Sequence, residues 1–255
     1  FKKKLGKMIT GSAQLNFGPS HLKKMTLPLP PLETQQQITK TLDTASELLA
    51  MRKQQLVELD NLTKSIFYDM FGDPVINEKG WDSYTGSEYS ELLAVGVVVK
   101  PASYYVENGV IALRSLNVKP NFIDLSNLVY FSEECHRGVL SKSTLYHEDI
   151  VVVRTGMTGT AAVIPKELND INCIDLIIIR PKKLVINPYY LSFLLNSEWG
   201  KSLVASKEVG GIQKHFNIGA IKELLLPIPP ISIQNEFFIL FNKIEAQKSL
   251  VKKAI

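Results

Sequence analysis

The sequence predicts an α+β fold, in which a mostly β domain with one late helix lies between two long helices of the coiled-coil type. Three observations support this prediction: a segment that occurs twice, a run of heptad-spaced apolar residues after each copy, and short β-branched runs between the copies. The chain has 255 residues, of which 45% are hydrophobic and 21% charged. This composition provides enough apolar material for a packed core.

The repeated segment recurs at an offset of 199 residues. Gln14–Gln35 reads QLNFGPSHLKKMTLPLPPLETQ, and Gln213–Gln234 reads QKHFNIGAIKELLLPIPPISIQ. The shared positions include a phenylalanine, a lysine, three prolines and both terminal glutamines. Because this spacing is far too long for a solenoid, it indicates two copies of a domain with the element that follows it. On this interpretation, the sequence starts near the end of the first copy of the domain.

A helical pattern follows each proline cluster. After the first, apolar residues recur in steps of three and four from about 33 to 71, and Gly72, Asp73 and Pro74 end the pattern. A shorter pattern of the same kind follows the second cluster. We expect the two helices to pair through this heptad seam, although each could instead pack onto its own domain. The seam residues are Ile38, Leu42, Leu49, Leu56, Leu59, Ile66, Phe237, Phe241 and Ile244.

Short β-branched or aromatic runs, bounded by Gly, Pro, Asn or Asp, occupy the stretch between the helices and predict strands. One clear helix is predicted over 188–205, with Asn187 as its N-cap and Pro188 in its first turn. The predicted strands are Val95–Val99, Val110–Leu113, Leu128–Phe131, Asp149–Arg154, Ala161–Ile164 and Cys173–Ile179.

Several broad classes of protein are excluded by composition. No apolar run approaches the roughly 20 residues of a membrane helix, and no secretory signal opens the sequence. Cys135 and Cys173 form no metal-binding pattern and suit a reducing compartment, so we expect a cytoplasmic protein. The chain begins at Phe1 rather than Met, and the second helical pattern has no terminator. We therefore expect the chain to be part of a longer protein.

The net charge of +4 is unevenly distributed. Residues 1–32 contain six lysines and no acidic residue, whereas residues 80–226 are close to neutral. A nucleic-acid-binding surface in the middle of the chain must therefore be a local patch rather than a basic domain.

Three segments carry residue types that suit DNA contact. Arginine and asparagine can bind bases bidentately, and hydroxyl groups, lysine and backbone amides can bind phosphates. Two of the segments follow predicted strands, and the third is the glycine-containing loop before the second repeat copy. Alternatively, these segments could be a hairpin turn or ordinary surface residues without a role in DNA contact. The candidate DNA-contacting residues are Arg114, Ser115, Asn117, Arg154, Thr155, Thr158, Gln213 and Lys214.

No pattern in the sequence predicts catalysis, a cofactor or a metal. The 154–160 loop lacks the Gly-Lys-Ser/Thr ending of a P-loop, and no glycine-rich strand-to-helix turn for S-adenosylmethionine is present. Asn187–Tyr190 resembles the Asn-Pro-Pro-Tyr element of amino-methyltransferases, but a helix start accounts for the same residues. We expect no catalytic, cofactor-binding or metal-ligating residues.

The proline clusters and the first helix together resemble a known family, the DNA specificity subunits of type I restriction-modification enzymes. The resemblance is carried by Leu27–Gln35 and Leu226–Gln234, which share the pattern Leu-Pro-Leu/Ile-Pro-Pro-x-x-x-Gln, and by the helix end Ser65–Pro74. It implies four segments. These are the tail of a first target-recognition domain at 1–32, a central conserved spacer helix at 33–72, a second target-recognition domain at 73–230 and the start of a second spacer helix at 231–255.

The resemblance also implies a function. The recognition domain would read one half of a bipartite site on double-stranded DNA, and an antiparallel helix pair would set the gap. A methyltransferase subunit would carry S-adenosylmethionine, a restriction or translocase subunit could join it, and two copies of this chain could form a homodimer through their spacer helices. Two alternatives stay open: the specificity portion of a fused type IIG-like enzyme, and a coiled-coil adaptor that does not bind DNA.

Overall fold

The computed structural model describes residues 28–207 and 216–254, together with Pro19, Lys23 and Thr26. The chain divides into two compact units, Phe1–Gln55 with Ile255, and Leu56–Ala254. In the first unit, the described residues from 32 onwards are helical. The second unit contains the end of that helix, the sheets and the other helices described below.

The helices and strands of the described residues are numbered here in chain order. The α-helices are α1 (Leu32–Phe71), α2 (Gly86–Tyr89), α3 (Glu133–Arg137), α4 (Pro188–Asn196), α5 (Glu198–Ser206), α6 (Ile218–Lys222) and α7 (Ile231–Lys253). The strands are β1 (Ser83–Tyr84), β2 (Ser90–Val95), β3 (Tyr105–Val106), β4 (Val110–Leu113), β5 (Val118–Lys119), β6 (Phe122–Ile123), β7 (Val129–Phe131), β8 (Thr144–Leu145), β9 (Ile150–Val153), β10 (Ala161–Val163), β11 (Ile171–Cys173), β12 (Leu176–Pro181) and β13 (Leu226–Pro227). Of the described helices, none has the length and apolar character needed to cross a membrane.

Two sheets form the centre of the second unit. A four-stranded antiparallel sheet has the order β10-β9-β12-β2, and a five-stranded sheet has the order β3-β7-β4-β11-β8. Within the five-stranded sheet, β4 and β11 are parallel. The pairs β1-β13 and β5-β6 form two small ribbons. This α+β architecture agrees with the fold class predicted from the sequence.

The four-stranded sheet is buried on both faces. Along β9, Ile150 and Val152 pack into the core that contains helices α1, α4 and α7, whereas Val151 and Val153 pack into a second core against the five-stranded sheet. Successive side chains of a strand point to opposite faces, so a strand that is covered on both sides needs apolar residues at every position. This explains why β9 reads Ile-Val-Val-Val.

The repeated glutamine of the proline clusters holds the start of each long helix. The Gln35 Nε2 atom donates a hydrogen bond of 2.8 Å to the carbonyl of Pro30, and Gln234 Nε2 donates one of 2.7 Å to Pro229. The two pairs are equivalent in the repeat. Gln234 is fully buried, and its Oε1 atom also accepts from the Asn187 amide at 2.7 Å. The Pro-Pro-x-x-x-Gln pattern is therefore a helix-start element. Proline has no N–H group to leave unpaired in the first turn, and the glutamine in that turn donates back to the carbonyl that precedes the helix.

An aromatic cluster joins the end of α1 to helices α4 and α7. The rings of Phe67 and Phe237 have centroids 5.4 Å apart, and those of Phe71 and Tyr190 are 4.7 Å apart. Helix α1 then ends where predicted, because Gly72 adopts a φ of 76°, which a glycine accepts without strain. The end of α1 is thus packed onto the domain that follows it.

Helices α1 and α7 lie antiparallel within the second unit. Lys248 Nζ is 2.7 Å from Asp60 Oδ1, whereas Phe237, which is earlier in α7, contacts residues later in α1. Burial lowers the pKa of Lys248, but its hydrogen bonds to Asp60 and Glu245 offset this effect and leave the pKa above its ordinary value.

The seam residues differ in burial along the helices. Phe237, Phe241 and Ile244 are buried, and Leu56, Leu59 and Ile66 are half-buried. In contrast, Ile38, Leu42 and Leu49 in the first unit are exposed. The part of the seam near the domain is therefore covered by this chain, and the part on residues 32–55 is not.

The strand and helix predictions were wrong in three places. The strand expected at Val95–Val99 is β2 at Ser90–Val95, and the chain beyond it forms a loop. The strand expected at Cys173–Ile179 is two strands, because Ile174 and Asp175 carry the chain from one sheet to the other. The helix expected at 188–205 is interrupted at Ser197, whose side chain accepts from the Gly200 amide at 3.0 Å and starts α5.

A buried polar network connects α3 to the five-stranded sheet. The His136 ring is buried, its Nε2 atom is 3.1 Å from Asp170 Oδ1, and its Nδ1 atom is 3.1 Å from Asn172 Nδ2. Asn172 Oδ1 also accepts from the Ser143 hydroxyl at 2.7 Å. The hydrogen bond from Arg137 and the contact with His136 hold the pKa of Asp170 below its ordinary value.

Replacing Phe237 tests the aromatic cluster. We expect Phe237→Ala to lower the free energy of unfolding by about 3–5 kcal/mol, because the change leaves a cavity among four packed rings. Urea denaturation measures the effect. Leu240→Ala, on the exposed side of the same helix, should change stability by less than about 0.5 kcal/mol. Equal effects of the two substitutions would contradict this packing.

The network at Asp170 predicts a dependence of stability on pH. Because the pKa of Asp170 is lower in the folded protein than the ordinary value of 3.8, its contribution is complete above that value and is lost as the pH falls through the lowered pKa. Asp170→Asn should therefore reduce stability at neutral pH, and its difference from the wild type should narrow in acid. Urea denaturation over a pH series measures this difference. Glu133→Gln is the control. Glu133 lies 3.8 Å from Nε of Arg137, the arginine that also pairs with Asp170, and its replacement should give a stability difference that does not narrow in acid. A difference that does not vary with pH would refute the assignment.

Candidate nucleic-acid interface

Two of the predicted segments meet at one end of the two sheets. Leu113 at the end of β4 pairs with Cys173, and Val153 at the end of β9 pairs with Leu176. Arg114 and Arg154 are the next residues along these strands. Both arginines therefore border the short connection between β11 and β12, although they are 40 residues apart in sequence.

A third loop lies beside the same connection. Val97 forms a β-bridge with Ile174, and its carbonyl accepts from the Asp175 amide at 3.2 Å. We call the surface formed by Gly96–Lys100, Arg114–Asn117, Arg154–Thr160 and Ile174–Asp175 the arginine edge. Its charged residues are Lys100, Arg114, Arg154 and Asp175. The surface thus contains three cations and one carboxylate.

Arg154 is held by an ion pair. Its Nη1 atom lies 2.5 Å from Asp175 Oδ1, and the Arg154 side chain is 18% exposed while that of Asp175 is 42% exposed. The Nε atom of Arg154 is buried and has no hydrogen-bond partner in the described part of the chain. Asp175 has a φ of 49°, in the left-handed region that Asp tolerates better than most residues.

Arg114 is held by a neutral acceptor. Its Nη2 atom donates to the carbonyl oxygen of Asn127. Its Nε atom, like that of Arg154, is buried without a hydrogen-bond partner within the residues that the structure describes. Within the described residues, each arginine is oriented by one side-chain hydrogen bond. Because both Nε atoms are buried, only the remaining Nη N–H groups could donate to an acceptor-rich ligand.

Asn117 shapes the loop and is not presented for contact. Its side chain is fully buried, and Nδ2 donates to the carbonyls of Asp124 and Ser126 at 3.0 and 2.8 Å. Its Oδ1 atom accepts from the Arg114 amide at 3.0 Å. The base contact expected from its residue type would require breaking all three bonds. Asn117 therefore belongs to the loop that forms the arginine edge but contributes no contact side chain to it.

The remaining candidates have different positions. Ser115 is exposed, and Thr155 and Thr158 are half-buried in the loop after β9. Gly159 in that loop has a φ of 78°, and a Cβ there would lie 2.9 Å from Val204 Cγ1, so a glycine is required for the loop to pack on α5. Gln213 and Lys214 lie outside the described residues.

Two parts of the arginine edge were not predicted from the sequence. Asp175 lies 21 residues from Arg154, and its only sequence signal is that it interrupts an apolar run. The Gly96–Lys100 loop, which exposes Val98 and Val99, was mistaken for a strand because its valines are typical of strands. The flanking Gly96 and Pro101 could have indicated a loop.

The described residues contain no group of three or more His, Cys, Asp or Glu side chains that could hold a metal ion. The Asn187–Tyr190 segment is the start of α4, where Asn187 Oδ1 accepts from the Tyr189 amide at 2.9 Å. Tyr190 is buried and donates its hydroxyl to the Pro227 carbonyl at 2.8 Å. This segment is therefore part of the core.

Comparison with characterised proteins identifies relatives of the same kind. The chain is 22% identical over 260 residues to the specificity subunit of the type I restriction enzyme EcoBI of Escherichia coli, covering 92% of this chain and 54% of that protein. It is 24% identical over 230 residues to the specificity subunit of the type I restriction enzyme MjaVIII of Methanocaldococcus jannaschii, covering 83% of this chain and 53% of that protein. The chain thus spans about half the length of these relatives.

Solved structures share the fold. The HsdS subunit from Thermoanaerobacter tengcongensis is 17% identical with a TM-score of 0.54, over 99% of this chain and 62% of that one. The S subunit of the type I restriction-modification system from M. genitalium is 15% identical with a TM-score of 0.57, over 99% and 65%. A structure that describes complex assembly and conformational transition of the type I R-M system is 17% identical with a TM-score of 0.64, over 99% and 62%.

The family comparison covers most of the chain. Residues 1–61 and 137–255 match the family described as type I restriction modification DNA specificity domain. The two matched segments each include one copy of the proline cluster and all or most of the helix that follows it, which agrees with the internal repeat. The chain therefore belongs to the family of type I restriction-modification DNA specificity domains.

Proposed function

We propose that this chain is a sequence-specific DNA-recognition part of a type I restriction-modification complex. On this proposal its domain between the long helices reads one half of a bipartite site on double-stranded DNA. The observation that supports the proposal most directly is the arginine edge, where two oriented arginines from loops 40 residues apart border one connection, with the Val97–Lys100 loop beside it. Membership of the specificity family agrees with this role.

The arginine edge has the chemistry that DNA recognition requires. Arginine donors can bind guanine bidentately in the major groove, and lysine, hydroxyl and backbone groups can bind phosphates. Val98, Val99 and Met157, which belong to the loops of the arginine edge, are exposed. Such apolar side chains can contact the methyl group of thymine.

We further propose that the long helices act as a spacer and scaffold. The antiparallel contact between α1 and α7 supports this role, since it fixes the direction in which α1 leaves the domain within the second unit. A methyltransferase subunit would bind this scaffold, carry S-adenosylmethionine and perform the transfer in the cytoplasm, and a restriction or translocase subunit could join. This chain would then contribute recognition without catalysis.

Expression of the chain with the methyltransferase subunit of its own operon tests the proposal. We expect a stable complex and, by methylome sequencing of the host, a new methylated motif with an unspecified gap. Two identical inverted halves would show that two copies act together. Lack of complex formation would overturn the proposal in favour of an adaptor, and a stable complex that neither binds DNA nor methylates it would overturn the recognition role.

The exposed part of the seam predicts helix association. Ile38, Leu42 and Leu49 are apolar and exposed along residues 32–55, so a second helix, from another copy of this chain in a homodimer, would bury them. We expect Leu49→Asp to weaken self-association in sedimentation experiments without lowering the unfolding midpoint of the domain. Glu47→Asp, a polar change on the same helix, is the control. An unchanged sedimentation profile would contradict pairing through this seam.

A further inference from the structure

We infer that Arg154 and Asp175 act together as a base-reading pair, and that Asp175 determines specificity at one base pair of the target. The inference rests on the proposed function, because it assumes that the arginine edge faces DNA. The pair would recognise guanine through Arg154 and a neighbouring base that carries a major-groove amino group, cytosine or adenine, through Asp175.

The geometry of the ion pair matches this assignment. Arg154 donates through Nη1 to Asp175 Oδ1, which restrains the orientation of the guanidinium and uses only one of the two carboxylate oxygens of Asp175 in this bond. The Asp175 side chain is 42% exposed and can accept from an incoming amino group. An arginine that is already oriented loses less conformational entropy when it forms two parallel bonds to guanine.

The backbone under Asp175 is rigid. The Ile174 amide donates to the Leu113 carbonyl at 2.8 Å, and the Asp175 amide donates to the Val97 carbonyl at 3.2 Å. These bonds come from two different segments and hold Asp175 in its left-handed conformation. Because the backbone is held from two sides, the Asp175 side chain starts from a defined position.

The charge of the pair argues against a phosphate contact. A carboxylate next to an arginine cancels most of the attraction for a phosphate and would repel the phosphate oxygens directly. A base edge, which presents donors and acceptors without net charge, carries no such penalty. The pair is therefore suited to base readout rather than to backbone positioning.

Arg114 provides the internal comparison. Its partner is the neutral carbonyl of Asn127, so its positive charge is not cancelled. We expect Arg114 to bind a phosphate. The two arginines would then have different roles: Arg154 would contact a base, and Arg114 would contribute affinity that is independent of sequence.

Equilibrium DNA binding by the complex with the methyltransferase subunit tests the inference. The DNA set contains the methylated target and every single-base-pair substitution of it, measured at several salt concentrations. Asp175→Asn should reduce discrimination at one base pair by about 10- to 100-fold and should leave affinity for non-target DNA equal or higher. Arg154→Ala should lose discrimination at the same or the adjacent base pair, and adding Asp175→Asn to it should have little further effect.

Three further variants serve as controls. Asp175→Gly also accepts a positive φ, so it repeats the test if Asp175→Asn alters folding. Glu148→Gln removes a carboxylate paired with Lys183 at the opposite end of β9 and should change nothing. Arg114→Ala should weaken binding to all sequences alike and lower the salt dependence by about one counterion.

The outcomes separate the two proposals. If the wild-type complex binds no DNA, the proposed function and the inference both fail. If the wild type binds its target but Asp175→Asn and Asp175→Gly keep full discrimination, or change affinity for all sequences by one factor, the base-reading pair is refuted and the proposed function stands.

Discussion

The connection between β11 and β12 carries hydrogen bonds on which the rest of the domain depends. Within four residues, Cys173–Leu176, the backbone pairs with the ends of β4 and β9 and with Val97 beyond β2. The two large sheets are joined at this point. Because these pairings are made by backbone atoms, side chains in the adjoining loops can differ without changing the frame.

The aromatic cluster makes the equivalent connection to the helices. Phe67 and Phe71 at the end of α1 pack on Tyr190 of α4 and Phe237 of α7. A hydrogen bond adds to this packing, since the Asn187 amide at the start of α4 donates to Gln234 Oε1 at the start of α7. Helix position and domain position are thus linked by packing within Leu56–Ala254. If the helices act as a spacer, as proposed, this packing connects the spacer to the domain that carries the arginine edge.

If the arginine edge binds DNA, as proposed, its charge distribution favours selective over general affinity. The arginine edge contains three cations and one carboxylate, and the carboxylate is used to orient one of the arginines. A strongly basic surface would bind any duplex through its phosphates, and this binding would compete with recognition of a rare target. A weakly charged surface with oriented donors leaves more of the binding energy to base contacts.

The sequence by itself determined the α+β class, the long first helix with its glycine stop, and the family, because hydrophobic periodicity, proline and glycine act locally and the repeat is visible in the letters. It also placed Arg114 and Arg154 at strand ends. Only the tertiary structure decided that these ends meet, that Asp175 pairs with Arg154 and that Asn117 is buried. The physical reason is that these outcomes depend on strand pairing between residues 23 and 60 positions apart, and on side-chain hydrogen bonds that leave no periodic signal along the chain.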